Sequence, residues 1–162
     1  MKYQTYDQIN LEDEFLSYGR TVTEADIVQF TNLAGLKLPI FIDAEYCRLH
    51  SPFGQRIVPG LLIQAFAAGM MEELIGPNTI AALGFGESRF SRPALIGDTL
   101  RTHSRVASKR LTSNPLRGII VIAVRVVNQR QETVLDCSYK LLVKTDNQTS
   151  KNNEKDVKEK SQ

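Results

Sequence analysis

The 162-residue chain predicts an α+β domain, an antiparallel β-sheet wrapped around one long, central, apolar helix. Three observations carry that prediction. Helix-type patterns fill the first half of the chain and strand-type patterns the second, which disfavours a wound parallel sheet. The stretch PGLLIQAFAAGMMEELIG, Pro59 to Gly76, is apolar on nearly every side, and a helix of that kind is buried. GIIVIAVRVV, Gly118 to Val127, is rich in β-branched residues, as a central strand would be. One sheet that covers a whole helix must curve around it.

The elements follow in order. Thr23 begins a helix, because Thr-Glu-Ala-Asp resembles a capping box in which Thr23 and Asp26 each satisfy the other's backbone. Ile27, Phe30 and Leu33–Ala34 then share a face at helical spacing, and Gly35 is a natural stop. A short helical turn is expected from Asp43 to Arg48, with Asp43 as its cap. Pro59 suits the first position of the long helix, where its missing N–H costs nothing. Ala65, Ala67, Ala68 and Gly69 would let a sheet approach closely, and Gly76-Pro77 ends the helix.

The remainder is strand-like. Thr79 to Ser91 comes first, and Gly97-Asp98 makes a turn. In Thr99 to Arg110, Leu100, Thr102, Ser104 and Val106 alternate with Arg101, His103 and Arg105, the pattern of a half-exposed strand. Asn114-Pro115 marks a loop. Gly118 to Val127 follows, then a turn at Asn128 to Gln131 and a returning strand from Val134 to Val143. The segment from Thr145 to Gln162, TDNQTSKNNEKDVKEKSQ, has Val157 as its one apolar residue. It cannot bury enough surface to offset the entropy of ordering. The expected organisation is thus one domain over 1–144 and a disordered polar tail over 145–162.

Composition excludes several classes. Apolar residues make up 42%, ordinary for a globular protein. The net charge is only +2 and the cations are scattered, which argues against a nucleic-acid surface. Cys47 and Cys137 form no CxxC, so a reducing, cytoplasmic setting is the simpler expectation. The amino terminus has no apolar signal-like region. Leu61 to Ile75 contains Gln64, Glu72 and Glu73 and is too short to cross a bilayer. No His/Cys grouping has metal-ligand spacing, and neither metal nor cofactor is expected.

Four stretches taken together resemble the MaoC-like dehydratase family, whose relatives include the (R)-specific enoyl-CoA hydratases. They are TVTEADIVQFTNLAG, the PIFIDAEYC segment, SPFGQRIVPGLL and RFSRPALIGDTLR. They occur in the family's order, and the resemblance covers about residues 19 to 144. The resemblance implies a hotdog fold, usually a dimer with a joined sheet, that holds acyl thioesters of coenzyme A or acyl carrier protein. It implies, too, a Gly-Asp-x-Asn-Pro-x-His loop after the first helix, whose Asp and His act on water. Hydration needs such a pair, because water attacks the β-carbon of an enoyl thioester only when a base takes its proton and an acid supplies the α-carbon.

Laid on that motif through Gly35 and Pro39, this chain has Leu36 for the Asp, Leu38 for the Asn and Phe41 for the His. Pro59-Gly60 stands where the family often has His-Gly. What survives is backbone. The N–H groups of Gly60 and Leu61 open the long helix, where helix geometry leaves them unpaired at the positive end of the dipole. They suit a thioester carbonyl oxygen and the enolate it becomes. Pro59, Gly60, Leu61, Leu36, Leu38 and Phe41 are therefore the expected substrate-binding residues.

The catalytic residues stay open. Leu36 and Phe41 either fill the old pocket, or line one that takes an acyl chain without hydrating it, or serve a different reaction. His50 is the first alternative acid–base candidate, against the reading of an exposed loop histidine. Lys37 reads as a surface lysine, His103 as part of a solvated strand face, Cys47 as packing, and Glu87 with Arg89 as a cross-sheet ion pair. Lys37, Arg48 and Arg56 could supply charge for a cofactor-like phosphate or simply be scattered surface cations. Three functions follow: an acyl-thioester-handling protein with altered or lost hydratase chemistry, an active hydratase using other residues, or a non-catalytic subunit of a hotdog heterodimer. A homodimer is the simplest assembly.

Overall fold

A computed structural model describes residues 3–147. The elements in order are β1 (Glu14–Leu16), β2 (Arg20–Thr21), α1 (Glu24–Ala34), α2 (Pro39–Ile42), α3 (Ala44–His50) and α4 (Gly60–Ile75). They continue with β3 (Thr79–Phe85), β4 (Arg89–Phe90), β5 (Thr99–Leu111), β6 (Arg117–Val127) and β7 (Thr133–Lys144). The sheet runs β1-β5-β6-β7-β3, with β2 added to β5 and β4 to β7, and every pairing is antiparallel. It curls around α4, which is the hotdog arrangement.

The local reasons match the sequence patterns. Thr23 caps α1 through its hydroxyl, which accepts from Asp26 N, while Asp26 accepts from Thr23 N at 2.8 Å. Gly35 ends α1 in the left-handed region, at φ 66°. Asp43 caps α3 by accepting from Tyr46 N at 2.8 Å. On β5, Leu100, Thr102, Ser104 and Val106 are buried, and Arg101, His103 and Arg105 face outward. β6 lies between β5 and β7 and is the most continuously buried strand. Its Ile120, Ile122, Val124 and Val126 pack on Leu62, Ile63, Phe66, Ala67 and Met70 of α4 in one core.

Four expectations change. β1 and β2 precede the helices; each is too short for alternation to reveal it, and both exist because β5 offers an edge. The Thr79–Ser91 stretch is two strands: β3 is bulged between Thr79 and Gly84, and the ladder is interrupted after Phe85 before β4 resumes it on β7. On α1 the buried positions are Ile27 and Thr31, while Leu33 is 88% exposed. Thr31 tolerates burial because its hydroxyl donates back to Ile27 O at 2.8 Å. Finally, α4 is not covered all round: Leu61, Ala65, Gly69 and Glu72 recur along one side and stay open in the single chain.

Both ends of the described chain meet. Tyr6 N donates to Lys144 O, and Thr145, the first residue of the expected tail, is buried with its N–H on Leu116 O. Asp146 accepts from the Thr5 hydroxyl. The rest of the expected tail, 148–162, lies outside the described residues. Among the described residues no helix is long and apolar enough to cross a membrane.

Candidate functional site

The segment after α1 is held in place residue by residue. Leu36 N donates to Thr31 O at 2.9 Å, which turns the chain off the helix. Pro39 opens α2, a single turn that replaces the expected loop, and Asp43 N closes it on Pro39 O. The buried Cys47 sets its sulfur against the carbonyls of Pro39 and Ile40, at 3.6 and 3.5 Å. Cys47 therefore packs α3 on α2, in agreement with its reading as a packing residue. Ile57 N donates to Ile40 O, and Val58 N to Ala94 O. These bonds bring α2 and the chain just past β4 to the amino end of α4.

Between them lies an open cleft of about 440 Å³. Phe41, Phe53, Ile57 and Phe90 supply much of its apolar wall, and Gly60 and Leu61 of α4 line it too. Among the described residues, Arg92 is the only ionisable side chain in the lining, and its guanidinium is 3.5 Å from Glu132. At the start of α4, the Pro59 carbonyl accepts from Leu62 N at 2.9 Å and from Ile63 N at 3.2 Å. Among the described residues, the N–H groups of Gly60 and Leu61 meet no acceptor. Two unpaired donors at a positive helix end thus border an apolar cleft. The ring of Phe90 lies so close that a Cβ on Gly60 would sit 2.8 Å from it.

The expected site residues divide. Phe41, Gly60 and Leu61 line the cleft, and Pro59 caps the helix below it. Leu36 is half-buried and Leu38 is 57% exposed, and neither is in the lining. His50 ends α3, is exposed, and stacks on Tyr46 with ring centroids 5.0 Å apart; it is not in the lining either. Lys37 is exposed, as is His103 on the outer sheet face. Arg48 is engaged by Glu45 at 2.6 Å, and its hydrogen bond holds the Glu45 carboxyl below its ordinary value. Arg56 is mostly buried on Glu24 at 2.6 Å. Glu87 and Arg89 approach to 4.0 Å within one exposed segment, so theirs is a local pair and not a cross-sheet one. Among the described residues, no group of three or more His, Cys, Asp or Glu could hold a metal ion.

Phe53, Phe90, Ser91 and Arg92 join the cleft without having been singled out for it. Phe90 is thirty positions from Gly60 in sequence, and no periodic pattern connects them. The RFSRP stretch that carries three of these residues was legible only as a family-like string.

The description "MaoC like domain" fits residues 8–127. Protein MaoC of Klebsiella aerogenes is 35% identical over 107 residues, 66% of this chain and 31% of that protein. Beta-methylmalyl-CoA dehydratase of Chloroflexus aurantiacus is 30% identical over 123 residues, 72% of this chain and 33% of that protein. The chain thus spans about a third of the length of these curated relatives. Among solved structures, R-hydratase PhaJ1 from Pseudomonas aeruginosa superposes with a TM-score of 0.75 at 28% identity, covering 88% of this chain and 86% of that one.

Proposed function

The chain belongs to the MaoC-like domain family, and from that membership we propose that it binds an acyl thioester, of coenzyme A or acyl carrier protein, with hydratase chemistry altered or lost. One observation carries the reading: an apolar cleft opens on the two unpaired N–H groups that begin α4. A thioester carbonyl oxygen placed there would accept from Gly60 and Leu61. The same donors, at the positive end of α4, would favour charge developing on that oxygen. The acyl chain would lie against Phe41, Phe53 and Phe90, where burial of its methylenes supplies affinity.

Among the described residues, the cleft offers no base for water. Its polar side chains are Ser91 and Arg92, and neither takes a proton at neutral pH. Phe41, which stands at the family's His position, faces the cleft with a ring that can neither donate nor accept. The names of the relatives support the thioester class, since one is a CoA-thioester dehydratase and one an R-hydratase.

The test has two parts. Acetyl-CoA and butanoyl-CoA should raise the melting temperature in proportion to occupancy, because a ligand of the native state adds apparent stability; no shift at millimolar thioester defeats the reading. Mixed with trans-2-butenoyl-CoA, the protein should leave the conjugated absorbance at the uncatalysed rate. Turnover above background would show that hydration survives.

The assembly belongs to the same proposal. Among the described residues, β3 pairs with β7 on one side and has no strand on the other, and Leu33, Leu61 and Phe85 are 88, 64 and 60% exposed. A free edge and apolar side chains of this size favour a second hotdog chain. A homodimer is expected by light scattering. A monomer that dimerises only with another hotdog chain would identify the heterodimer subunit.

A further inference from the structure

We propose that a cavity at the other end of α4 is a second binding site, for a small uncharged molecule with an apolar body and one hydrogen-bonding oxygen. The cavity measures about 210 Å³ and lies between the last turns of α4 and the inner face of β1 and β5. Met70, Met71 and Leu74 form its helix side. Ser17, Thr102 and Ser104 form its sheet side.

The three hydroxyls differ in a way that points to a ligand. Ser17 is satisfied: its Oγ accepts from Thr102 N at 2.9 Å and donates to Tyr18 O at 2.8 Å. Thr102 and Ser104 are only 1% and 4% exposed. Among the described residues, neither hydroxyl has a hydrogen-bond partner. Buried hydroxyls are ordinarily paired, because leaving one unmet costs its full desolvation. Thr102 Oγ1 and Ser104 Oγ escape that cost only through the cavity: neither oxygen is sealed, so whatever occupies the space supplies their partner, and these two neighbouring inward positions of one strand face the same space.

The lining sets the chemistry of the occupant. Glu14 is its one ionisable residue, and it stands exposed on the edge strand. Nothing inside could balance a ligand charge, and an unbalanced buried charge is strongly disfavoured. The thioethers and Leu74 favour an apolar body, and thioethers adapt to varied shapes. Cavities of about 150 Å³ accept a molecule of benzene's size, so a four-carbon alcohol or ketone fits. Ten residues separate Gly60 from Met70, roughly 15 Å along the helix. The site therefore stands apart from the cleft and does not rest on the thioester reading.

The experiment uses the methionine methyls. Met70 and Met71 are the only methionines besides Met1, so 13C-methyl-methionine spectra of the full chain report on this cavity. Titration with 1-butanol should shift both resonances along a saturable curve. 1-Fluorobutane, of similar shape without the hydroxyl, should bind at least about fivefold more weakly, the scale of one net hydrogen bond. Combining Thr102→Val with Ser104→Ala should erase that preference. A non-saturating shift would mean that the cavity holds water only and would overturn the proposal. Equal binding of the two probes by the wild-type protein would overturn the assigned ligand chemistry, whether or not the variant folds.

Discussion

The aromatic ring of Phe90 rests on Gly60 with no room for a Cβ, which would lie 2.8 Å from two ring carbons. This contact joins the short strand β4 to the first residue of α4 and forms one corner of the cleft. It gives Gly60 a reason beyond helix capping: its missing side chain lets an aromatic wall stand beside the helix donors.

Gly60→Ala should therefore act on binding more than on stability. Phe90 is 47% exposed, so its ring can swing away and avoid the overpacking that costs about 1–3 kcal/mol in a closed core. The displaced ring should enter the cleft and weaken butanoyl-CoA binding at least tenfold, roughly 1.4 kcal/mol, by isothermal titration calorimetry. Adding Phe90→Ala should restore part of the loss. Unchanged affinity in the single variant would place the thioester elsewhere.

His50→Ala should change nothing that matters to the site. The residue is exposed and its contact is with Tyr46. Its stability effect should stay within about 0.5 kcal/mol, with thioester-induced stabilisation intact. A lost response would bring the imidazole into the site after all.

Asp26 should make α1 acid-sensitive. Burial pushes its carboxyl upward, but the bonds from Thr23 and Arg20 outweigh that and hold it below the ordinary value of 3.8. A depressed carboxylate contributes its stability above the ordinary value and loses it as pH falls through the lower, folded-state value. Asp26→Asn should cost about 1 kcal/mol near neutrality and should flatten the fall in stability below pH 4, followed by urea melts. Equal acid sensitivity in both proteins would contradict the assignment.

Gly118→Ala should be severe. A Cβ there would lie 2.0 Å from the Tyr6 ring. Tyr6 is buried and is tied by its backbone N–H to Lys144 O and by its carbonyl to Lys109 Nζ. The ring cannot retreat as Phe90 can, so the loss should reach about 3 kcal/mol. Near-native stability in denaturant would show that the amino-terminal segment is looser than its bonds imply.

Tyr139 should stay protonated into strong alkali. Its hydroxyl donates to Gln64 O of α4 at 2.6 Å, and burial, with the Cys137 thiol nearby, drives its ionisation far above the ordinary tyrosine range. Tyr139→Phe should cost about 1 kcal/mol. Up to pH 11, ultraviolet titration of the native wild type and of Tyr139→Phe should give the same change in tyrosinate absorbance; a larger change in the wild type would refute the bond.

The site was half legible before folding. Gly60 and Leu61 could be found because any helix start leaves donors unpaired, and Phe41 because it falls on a motif counted from Gly35 and Pro39. Leu36 and Leu38 were counted from the same two residues, yet neither lines the cleft: both precede α2, Leu36 where its N–H is held by Thr31 O at the end of α1 and Leu38 in extended backbone before Pro39. Phe53, Phe90 and Arg92 were visible only as members of family-like strings, with nothing to tie them to a cleft, because what unites them with Gly60 is proximity across a turn and a strand.

Local pattern alone determined the elements and their kind: the Thr23 capping box, the alternation of β5, the β-branched run of β6 and the apolar length of α4 are properties of neighbouring residues. Tertiary structure alone decided which side of α4 stays open, that Leu33 is exposed while Thr31 is buried, and that two hydroxyls of β5 border one cavity. The physical reason is that a helix or strand follows from short-range sterics and periodicity, whereas burial is assigned to a residue only when elements distant in sequence come to rest against it.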